Sequence, residues 1–205
     1  MRMAVLVSGG GTNLQTLIDS IEKGEINGEI ALVISDRENA YALERAKKHG
    51  IKTAFVDRRQ CGESLLEELK ALDVELVVLA GFLSILGSEF VKAYEGRIIN
   101  IHPSLIPAFC GKGFYGEKVH KAAVEYGVKI SGATVHFVDE GTDSGPIILQ
   151  ESVPVYPEDT AEELAARVLK VEHRLLPEAV RLYCEGRLNI EGRKVIIAKK
   201  EVMPV

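Results

Sequence analysis

The sequence has no tryptophan, only three cysteines and no long hydrophobic run. A membrane-spanning helix needs roughly 20 consecutive apolar residues, whereas the apolar run at the N-terminus, Met3–Val7, is followed directly by Ser8 and three glycines. That run is also too short for a signal peptide. Cys61, Cys110 and Cys184 lie too far apart in the sequence for metal-ligand pairs, and their number is odd. These absences argue against membrane and disulfide-stabilised proteins and predict a cytoplasmic one.

Positive charge is also scarce. With 25 Lys and Arg against 30 Asp and Glu, the formal net charge is −5, and no basic tract stands out. Proteins that bind nucleic acids neutralise phosphates with clustered Lys and Arg, so we expect no nucleic-acid partner. With 205 residues, 46% of them hydrophobic, the chain can bury one sizeable core, which predicts a single domain over residues 1–205. The sequence carries no signal of an oligomeric state.

Short, continuously apolar runs alternate with helical patterns through the first half of the chain. Continuous apolarity is typical of parallel strands that are covered on both faces. The runs are Met3–Val7, Ile30–Ser35, Thr53–Val56, Val74–Ala80 and Ile98–Ile101. Helical patterns are found between them at Leu14–Ile21, Tyr41–His49 and Ser64–Leu72. Strands separated by helices form right-handed βαβ units, so we predict an α/β fold with an open, mostly parallel, doubly wound sheet.

The pattern changes in the second half of the chain. Ile130–Val138 alternates, and Pro146–Val155 follows after a turn-rich segment, which predicts an antiparallel pair of strands in the C-terminal part of the sheet. Thr160 and Glu163 have the spacing of a capping box and predict the start of a long amphipathic helix, which Gly186 is expected to end. A peripheral hairpin is predicted from Leu188–Ile190 and Val195–Ala198.

The segment Ser8–Asn13, with three consecutive glycines, lies between the first predicted strand and the first predicted helix. Glycines let the backbone approach a phosphate closely, and the free N–H groups at a helix start favour an anion. Thr12 and Asn13 can add side-chain hydrogen bonds, so Gly11, Thr12 and Asn13 are candidate phosphate-binding residues. Leu14 breaks the dinucleotide-binding pattern G-x-G-x-x-G, and no P-loop lysine follows. A plain tight turn is the alternative interpretation.

Asn100 and His102 are predicted to share one face of a strand. Alternate side chains of a strand point the same way, and Pro103 ends this strand directly after His102. The carboxyl ends of strands in open α/β sheets are where ligands bind. A carboxamide and an imidazole side by side can hold a developing oxyanion and move a proton. The alternative is an ordinary histidine at a strand end.

Two further polar residues belong to the predicted antiparallel pair. Asp143 lies in the turn 139–145, and an aspartate beside a histidine favours the charged imidazole and fixes its orientation. The spacing alone does not bring Asp143 to His102, and a plain turn aspartate is the alternative. His136, in the strand before the turn, is interpreted as a structural histidine.

Five segments, in order along nearly the whole chain, carry a family resemblance. They are VLVSGGGTNLQ (5–15), VVLAGFLSIL (77–86), INIHPSLIP (99–107), GATVHFVDEGTDSGPIILQ (132–150) and VEHRLLP (171–177). In these segments the chain resembles the glycinamide ribonucleotide transformylase family of folate-dependent formyltransferases. The resemblance implies a Rossmann-like formyltransferase fold. It also implies transfer of the formyl group of the co-substrate 10-formyltetrahydrofolate to the amine of glycinamide ribonucleotide in purine biosynthesis, without a metal.

The resemblance also implies roles for individual residues, in catalysis, phosphate binding, folate binding and contact with the nucleotide. The implied catalytic residues are Asn100, His102 and Asp143; the phosphate-binding residues are Gly11, Thr12 and Asn13; the folate-binding residues are Leu83, Ser84, Ile85, Leu86 and again Asn100; and Glu172 contacts the nucleotide substrate. Residues 1–100 would form a phosphate-binding half, and residues 101–205 a half with the catalytic loop, the folate site and the C-terminal helix.

The sequence departs from the family pattern in three places. Ser84 stands where many members carry arginine. The loop Phe109–Gly116 is longer than usual, and its Lys112 is expected to contact the substrate phosphate, the folate tail or solvent. The segment around Arg58 and Arg59 is short where the family places an arginine on a substrate, so either residue, or neither, takes that role.

Three other functions compete with this interpretation. Methionyl-tRNA formyltransferase shares the catalytic elements, but we expect it to need a further C-terminal domain and a basic surface. Formyltetrahydrofolate deformylase, a hydrolase, is expected to carry an N-terminal domain ahead of the glycine-rich loop. Outside this chemistry stands an NAD- or nucleotide-binding Rossmann protein, in which Asp36 would hold the ribose. Because the glycine pattern is broken, we interpret Asp36 as a loop or cap residue.

Overall fold

The computed structural model describes residues 1–57 and 63–199, and every strand predicted from an apolar run is found there. The strands are β1 (Arg2–Val7), β2 (Glu29–Ser35), β3 (Thr53–Phe55), β4 (Leu76–Leu79), β5 (Ile98–His102), β6 (Ile130–Phe137), β7 (Ile147–Pro154), β8 (Leu188–Glu191) and β9 (Lys194–Ile197). The helices are α1 (Thr12–Glu22), α2 (Tyr41–Lys48), α3 (Glu63–Ala71), α4 (Ser88–Ala93), α5 (Glu117–Tyr126) and α6 (Ala161–Cys184).

The strands of the described residues form one sheet in the order β3-β2-β1-β4-β5-β6-β7-β9-β8. The strands from β3 to β5 in this order are parallel, which confirms the predicted mostly parallel half. β6 is antiparallel to both β5 and β7, so the predicted antiparallel pair is also confirmed. The C-terminal hairpin joins the sheet through a short parallel contact between β7 and β9. The predicted division at residue 100 falls inside β5, and strands of both halves belong to the same sheet.

Helices cover both faces of the sheet, which explains why the strands of its parallel half are continuously apolar. In β1, Met3, Val5 and Val7 join a core that includes residues of α1 and α6. The alternate residues Ala4 and Leu6 join a second core that includes residues of α3 and α4. Each side chain of such a strand is therefore buried, whichever face it is on. The doubly wound arrangement is confirmed.

Two helices were not predicted from the sequence. α4 has only six residues, which is too short for a helical period to be recognised. The buried face of α5 consists of Val119, His120 and Ala123, so a histidine and a small residue interrupt its apolar pattern. The capping box of α6 is confirmed: the Glu163 N–H donates to the Thr160 hydroxyl at 3.2 Å, and the Thr160 N–H donates to the Glu163 carboxylate at 2.8 Å.

The winding of the chain reverses between β1 and β4. From β1 the sheet continues to β2 and β3 on one side, whereas β4 and β5 lie on the other. Because β1, β4 and β5 are parallel, the loops that follow them leave the sheet at the same edge. In open α/β sheets such a switch point forms the ligand-binding crevice. None of the helices described is long and apolar enough to cross a membrane.

Candidate active site

β5 presents Asn100 and His102 on one face and Ile99 and Ile101 on the other, as the alternation predicts. Both isoleucines are buried in the core that includes α6. His102 is buried at the end of the strand, and its Nδ1 lies 3.6 Å from Oδ2 of Asp143. The fold therefore brings together the predicted imidazole and carboxylate, which are 41 positions apart in the sequence, although sequence spacing gave no reason for it.

The turn after β5 fixes the ring of His102. Its Nε2 lies 3.0 Å from the carbonyl oxygen of Phe109, and because a carbonyl oxygen only accepts, Nε2 carries a hydrogen in this contact. Ser104 donates its hydroxyl to the same oxygen at 3.3 Å. Thr134, which is buried on β6, also fixes this turn. Its hydroxyl donates to the Ser104 carbonyl at 2.6 Å and accepts from the Ile106 N–H at 3.1 Å.

The turn between β6 and β7 carries Asp143 into the site. Asp143 has a left-handed backbone conformation with a φ of 54°, and its Oδ2 accepts a hydrogen bond from the Gly111 N–H at 2.9 Å. The carboxylate of Asp139 holds this turn, since it accepts from the Gly141 N–H at 3.0 Å and from the Ser144 hydroxyl at 2.6 Å. Two segments distant in sequence, the loop after β5 and this turn, thus fix one carboxylate.

His136 is a fourth polar residue of the site. Its Nδ1 lies 2.7 Å from the Phe137 carbonyl oxygen and so carries the hydrogen, which leaves Nε2 to accept from the Asn100 carboxamide nitrogen at 3.1 Å. Burial lowers the pKa of His136 and favours this neutral form. The Asp143 carboxylate lies 3.8 Å from Nε2. His136, interpreted from the sequence as structural, contacts Asn100 and can orient its carboxamide.

The glycine-rich loop after β1 presents backbone N–H groups at the start of α1. Gly11 has a φ of 72°, and a Cβ at this position would lie 2.6 Å from the Cβ of Ala42, which excludes a side chain. A Cβ at Gly9 or Gly10 would meet nothing within 4 Å. Among the described residues, none accepts a hydrogen bond from the N–H groups of residues 9–13. These unbonded donors fit an anion.

Asn13 and Glu172 meet beside this loop. The Asn13 carboxamide nitrogen donates to a Glu172 oxygen at 2.7 Å, and both residues are buried. Burial raises the pKa of Glu172, and the bond from Asn13 opposes that rise. One N–H of the Asn13 carboxamide is bonded to Glu172, so its second N–H and the backbone N–H are the donors that Asn13 could offer to a phosphate.

Replacement of Glu172 by glutamine is expected to remove a pH-dependent loss of stability. Because the pKa of Glu172 is higher in the folded than in the unfolded protein, protonation of Glu172 stabilises the folded protein. This stabilisation is fully present below the unfolded pKa of about 4.3 and is lost as the pH rises through the folded pKa. In that window wild type should lose about 1.4 kcal/mol of unfolding free energy for each pH unit relative to Glu172→Gln. Denaturant unfolding at several pH values measures this difference.

The matched control is Glu162→Gln, which makes the same change at an exposed position of the same helix. It should keep the pH dependence of the wild type. If Glu172→Gln and the control show the same pH dependence, burial does not set the ionisation of Glu172.

Residues 81–86, which follow β4, lie beside the glycine-rich loop. The Leu83 N–H donates to the Ser8 hydroxyl oxygen at 2.8 Å, and the Ser84 hydroxyl donates to the Asp36 carboxylate at 2.6 Å. Leu83 is 40% and Ile85 81% exposed, whereas Leu86 is only 9% exposed. Exposed apolar side chains next to main-chain groups fit a flat, partly polar ligand such as a pteridine. The contact with Ser84 agrees with the interpretation of Asp36 as a loop residue.

The remaining sequence candidates are Lys112, the two arginines Arg58 and Arg59, and the cysteines. Lys112 is exposed and makes no hydrogen bond or ion pair with the described residues, and Arg58, Arg59 and Cys61 lie outside those residues. The Cys110 thiol donates to the Pro107 carbonyl at 3.3 Å; burial, and then the charge of Asp143, raise its pKa. Over residues 1–57 and 63–199, no group of three or more His, Cys, Asp or Glu side chains could hold a metal ion.

Comparison with known proteins gives consistent matches. The formyl transferase family model matches residues 1–180. The phosphoribosylglycinamide formyltransferase of Haemophilus influenzae is 41% identical, over 93% of this chain and 90% of its own. The chloroplastic phosphoribosylglycinamide formyltransferase of Vigna unguiculata is 42% identical over 91% of this chain. The chain spans 62% of the length of that plant protein and 19% of the trifunctional purine biosynthetic protein adenosine-3 of Gallus gallus.

Solved structures show the same fold. Glycinamide ribonucleotide transformylase 1 from Symbiobacterium toebii has a TM-score of 0.91 and 48% sequence identity, with 97% of this chain and 94% of that chain covered. A formyltetrahydrofolate deformylase from Pseudomonas syringae has a TM-score of 0.87 at 28% identity, with 97% of this chain and 66% of that chain covered. The similarity in sequence is therefore greater to the transformylase than to the deformylase.

Proposed function

Because the chain belongs to the formyl transferase family, we propose that it transfers the formyl group of 10-formyltetrahydrofolate to the amine of glycinamide ribonucleotide, a step of purine biosynthesis. The observation that carries the proposal is a juxtaposition at the switch point of the sheet. His102 and Asp143 lie 3.6 Å apart at the end of β5, on the same edge of the sheet as a glycine-rich loop with unbonded N–H groups. A reacting centre and an anion site together suit a phosphorylated acceptor.

Each substrate has its own part of the crevice in this proposal. Gly11, Thr12 and Asn13 would hold the phosphate of the nucleotide through backbone N–H groups at the start of α1, where the helix dipole favours negative charge. Glu172, which Asn13 fixes at 2.7 Å, would contact the ribose or the glycinamide. The segment Leu83–Leu86, with Asn100, would bind the pteridine of the folate. Since the Ser84 hydroxyl is bonded to Asp36, Ser84 would contribute its backbone.

The chemical step needs a donor for developing negative charge and a path for one proton. The folate supplies the formyl group; the amine nitrogen forms a bond to the formyl carbon, and the bond from that carbon to N10 breaks. The N–H of Asn100 that does not bond His136, together with the imidazole of His102, would stabilise the formyl oxygen as it becomes negative. Two substrates held in one orientation add to the rate through proximity.

Asp143 would direct the proton. Its Oδ2 lies 3.6 Å from Nδ1 of His102, which is longer than a hydrogen bond, so the two atoms could both contact one reacting group placed beside them. The carboxylate would orient His102 and relay the proton that leaves the attacking amine and ends on N10. One proton thus passes from the amine to the Asp143 carboxylate and from there to N10, with no external acid or base.

A kinetic assay tests the proposal. Protein, 10-formyltetrahydrofolate and glycinamide ribonucleotide are mixed, and the absorbance of the tetrahydrofolate product is followed. Turnover that requires glycinamide ribonucleotide supports the proposal. Turnover without it would indicate the deformylase, and no turnover combined with binding of NAD would indicate the Rossmann-type alternative.

The remaining parts of the proposal concern the setting of the reaction. The partners would be these two small molecules, with no nucleic acid and no membrane. Residues 1–205 would act as one domain, in which residues 1–100 supply the phosphate cradle and residues 101–205 the catalytic turn and α6. The cytoplasmic location is still the prediction made from the cysteines; the relative from Vigna unguiculata is chloroplastic.

A further inference from the structure

Arg45, on α2, contacts the glycine-rich loop directly. Its Nε donates to the Gly10 carbonyl oxygen at 2.8 Å, and one terminal nitrogen donates to the Gln15 side-chain oxygen at 3.1 Å. Its guanidinium also lies over the ring of Tyr41, 5.0 Å from the centroid. Three contacts thus fix Arg45, which is partly buried. Arg45 belongs neither to the sequence motifs nor to the residues proposed to bind the substrates.

α2 holds two consecutive carbonyl groups of the loop. The Ala42 N–H donates to the Gly9 carbonyl oxygen at 3.1 Å, and Arg45 binds the next carbonyl, that of Gly10. In a trans peptide the C=O and the following N–H point in opposite directions. With both carbonyls directed at α2, the N–H groups of Gly10 and Gly11 must point away from it. These are donors that bond no acceptor in the part of the chain that the structure describes.

The glycine-rich loop packs closely against α2 on one side. The position of a Cβ on Gly11 would be 2.6 Å from the Ala42 Cβ and 3.4 Å from the Cδ of Arg45. On its other side the loop is open, since a Cβ on Gly9 or Gly10 would meet nothing within 4 Å. A flexible glycine segment would otherwise lose much conformational freedom when it binds a ligand. Contacts from α2 that are already made reduce that cost.

We infer that Arg45 is a positioning residue for the phosphate of the nucleotide substrate: by holding the Gly10 carbonyl, it keeps the loop N–H groups directed at the anion. This inference rests on the proposed function, because the loop must bind a phosphorylated acceptor for Arg45 to affect it. The effect belongs to substrate binding and not to the chemical step, since Arg45 contacts neither His102 nor Asp143.

The test compares Arg45→Met with Lys48→Met. Both substitutions remove one positive charge from α2, and the Lys48 ammonium also faces the Tyr41 ring at 5.6 Å, but it makes no contact with the loop. Arg45→Met should raise the KM for glycinamide ribonucleotide about tenfold, the loss typical of one charged hydrogen bond. We expect kcat and the KM for 10-formyltetrahydrofolate to stay within about twofold of wild type. Lys48→Met should resemble wild type in all three.

A substrate without the phosphate separates positioning from general damage. With glycinamide ribonucleoside as acceptor, Arg45→Met and wild type should have equal kcat/KM. Arg45→Lys keeps the charge but loses the guanidinium fork that reaches Gly10 and Gln15 together. Its KM for glycinamide ribonucleotide should therefore be about threefold higher than that of wild type. If Arg45→Met does not fold, Arg45→Lys tests the inference in its place.

Several results would overturn the inference. They are an unchanged KM in Arg45→Met, an equal rise in Lys48→Met, a wild-type KM in Arg45→Lys, or the same loss with the ribonucleoside. Failure of the proposed function has a different signature: the wild-type protein would then not turn over glycinamide ribonucleotide at all, and both proposals would fall. An active wild type with an unaffected Arg45→Met removes only the role of Arg45.

Discussion

Replacement of Asp143 by asparagine is expected to lower kcat for formyl transfer by about 10²–10⁴-fold while the protein stays folded. The substitution keeps the shape of the side chain, and a carboxamide oxygen can still accept the Gly111 N–H that Asp143 accepts at 2.9 Å. What disappears is the negative charge 3.6 Å from Nδ1 of His102 and the group that takes up a proton. A loss confined to the transition state lowers kcat and leaves KM little changed.

Steady-state kinetics with both substrates, together with thermal unfolding, measure this effect. Glu140→Gln is the matched control, because it makes the same change from acid to amide in the same turn. Glu140 is exposed and pairs with Lys92 at 3.2 Å, and this substitution should leave kcat within about twofold, as expected for a surface ion pair. If Asp143→Asn retains more than about a tenth of the wild-type kcat, or if it unfolds, Asp143 serves the turn and not the reaction.

The fold was largely predictable because its signals are local. A strand buried on both faces is continuously apolar, and β1 shows this from Met3 to Val7, with alternate residues in two different cores. The shared face of Asn100 and His102 follows from the two-residue period of a strand. Both predictions need only neighbouring residues, which is why they are confirmed without knowledge of the tertiary structure.

The position of Asp143 beside His102, in contrast, does not follow from local sequence signals. Its approach to His102 depends on the shape of the turn 139–145, and that shape depends on the Asp139 contacts and on Gly145. A Cβ at Gly145 would lie 1.9 Å from the Phe137 carbonyl oxygen, so only glycine permits the turn to close against β6. Spacing in the sequence carries no record of such contacts, and family resemblance alone placed Asp143 beside His102.

Backbone groups were the least predictable part of the site. Nε2 of His102 is held by the carbonyl of Phe109, whose φ of 48° is left-handed, and Asp143 is held by the N–H of Gly111. Every residue has a carbonyl and nearly every residue an N–H, so residue types do not reveal which of them line a site. The pair Asn13–Glu172 was missed for a related reason: 159 positions separate its members.

Replacement of Asn100 by alanine is expected to lower kcat by about 10²–10³-fold, the usual cost of losing one donor to a developing oxyanion. It also leaves the buried Nε2 of His136 without the N–H that it accepts at 3.1 Å, so the unfolding free energy should fall by about 1–3 kcal/mol. The control is Asn189→Ala, an exposed asparagine of β8, which should change neither quantity. A kcat within about tenfold of wild type would show that Asn100 does not act on the reacting oxygen.

A double variant tests whether His136 acts on the reaction through Asn100. If its neutral ring acts by directing the Asn100 carboxamide, His136→Ala should lower kcat in the wild-type background and have little further effect on kcat in Asn100→Ala. Residues that act as one unit are not additive in this way, whereas independent contributions multiply. A double variant whose kcat equals the product of the two separate losses would mean that His136 affects the reaction without Asn100, for instance through the Asp143 carboxylate 3.8 Å away.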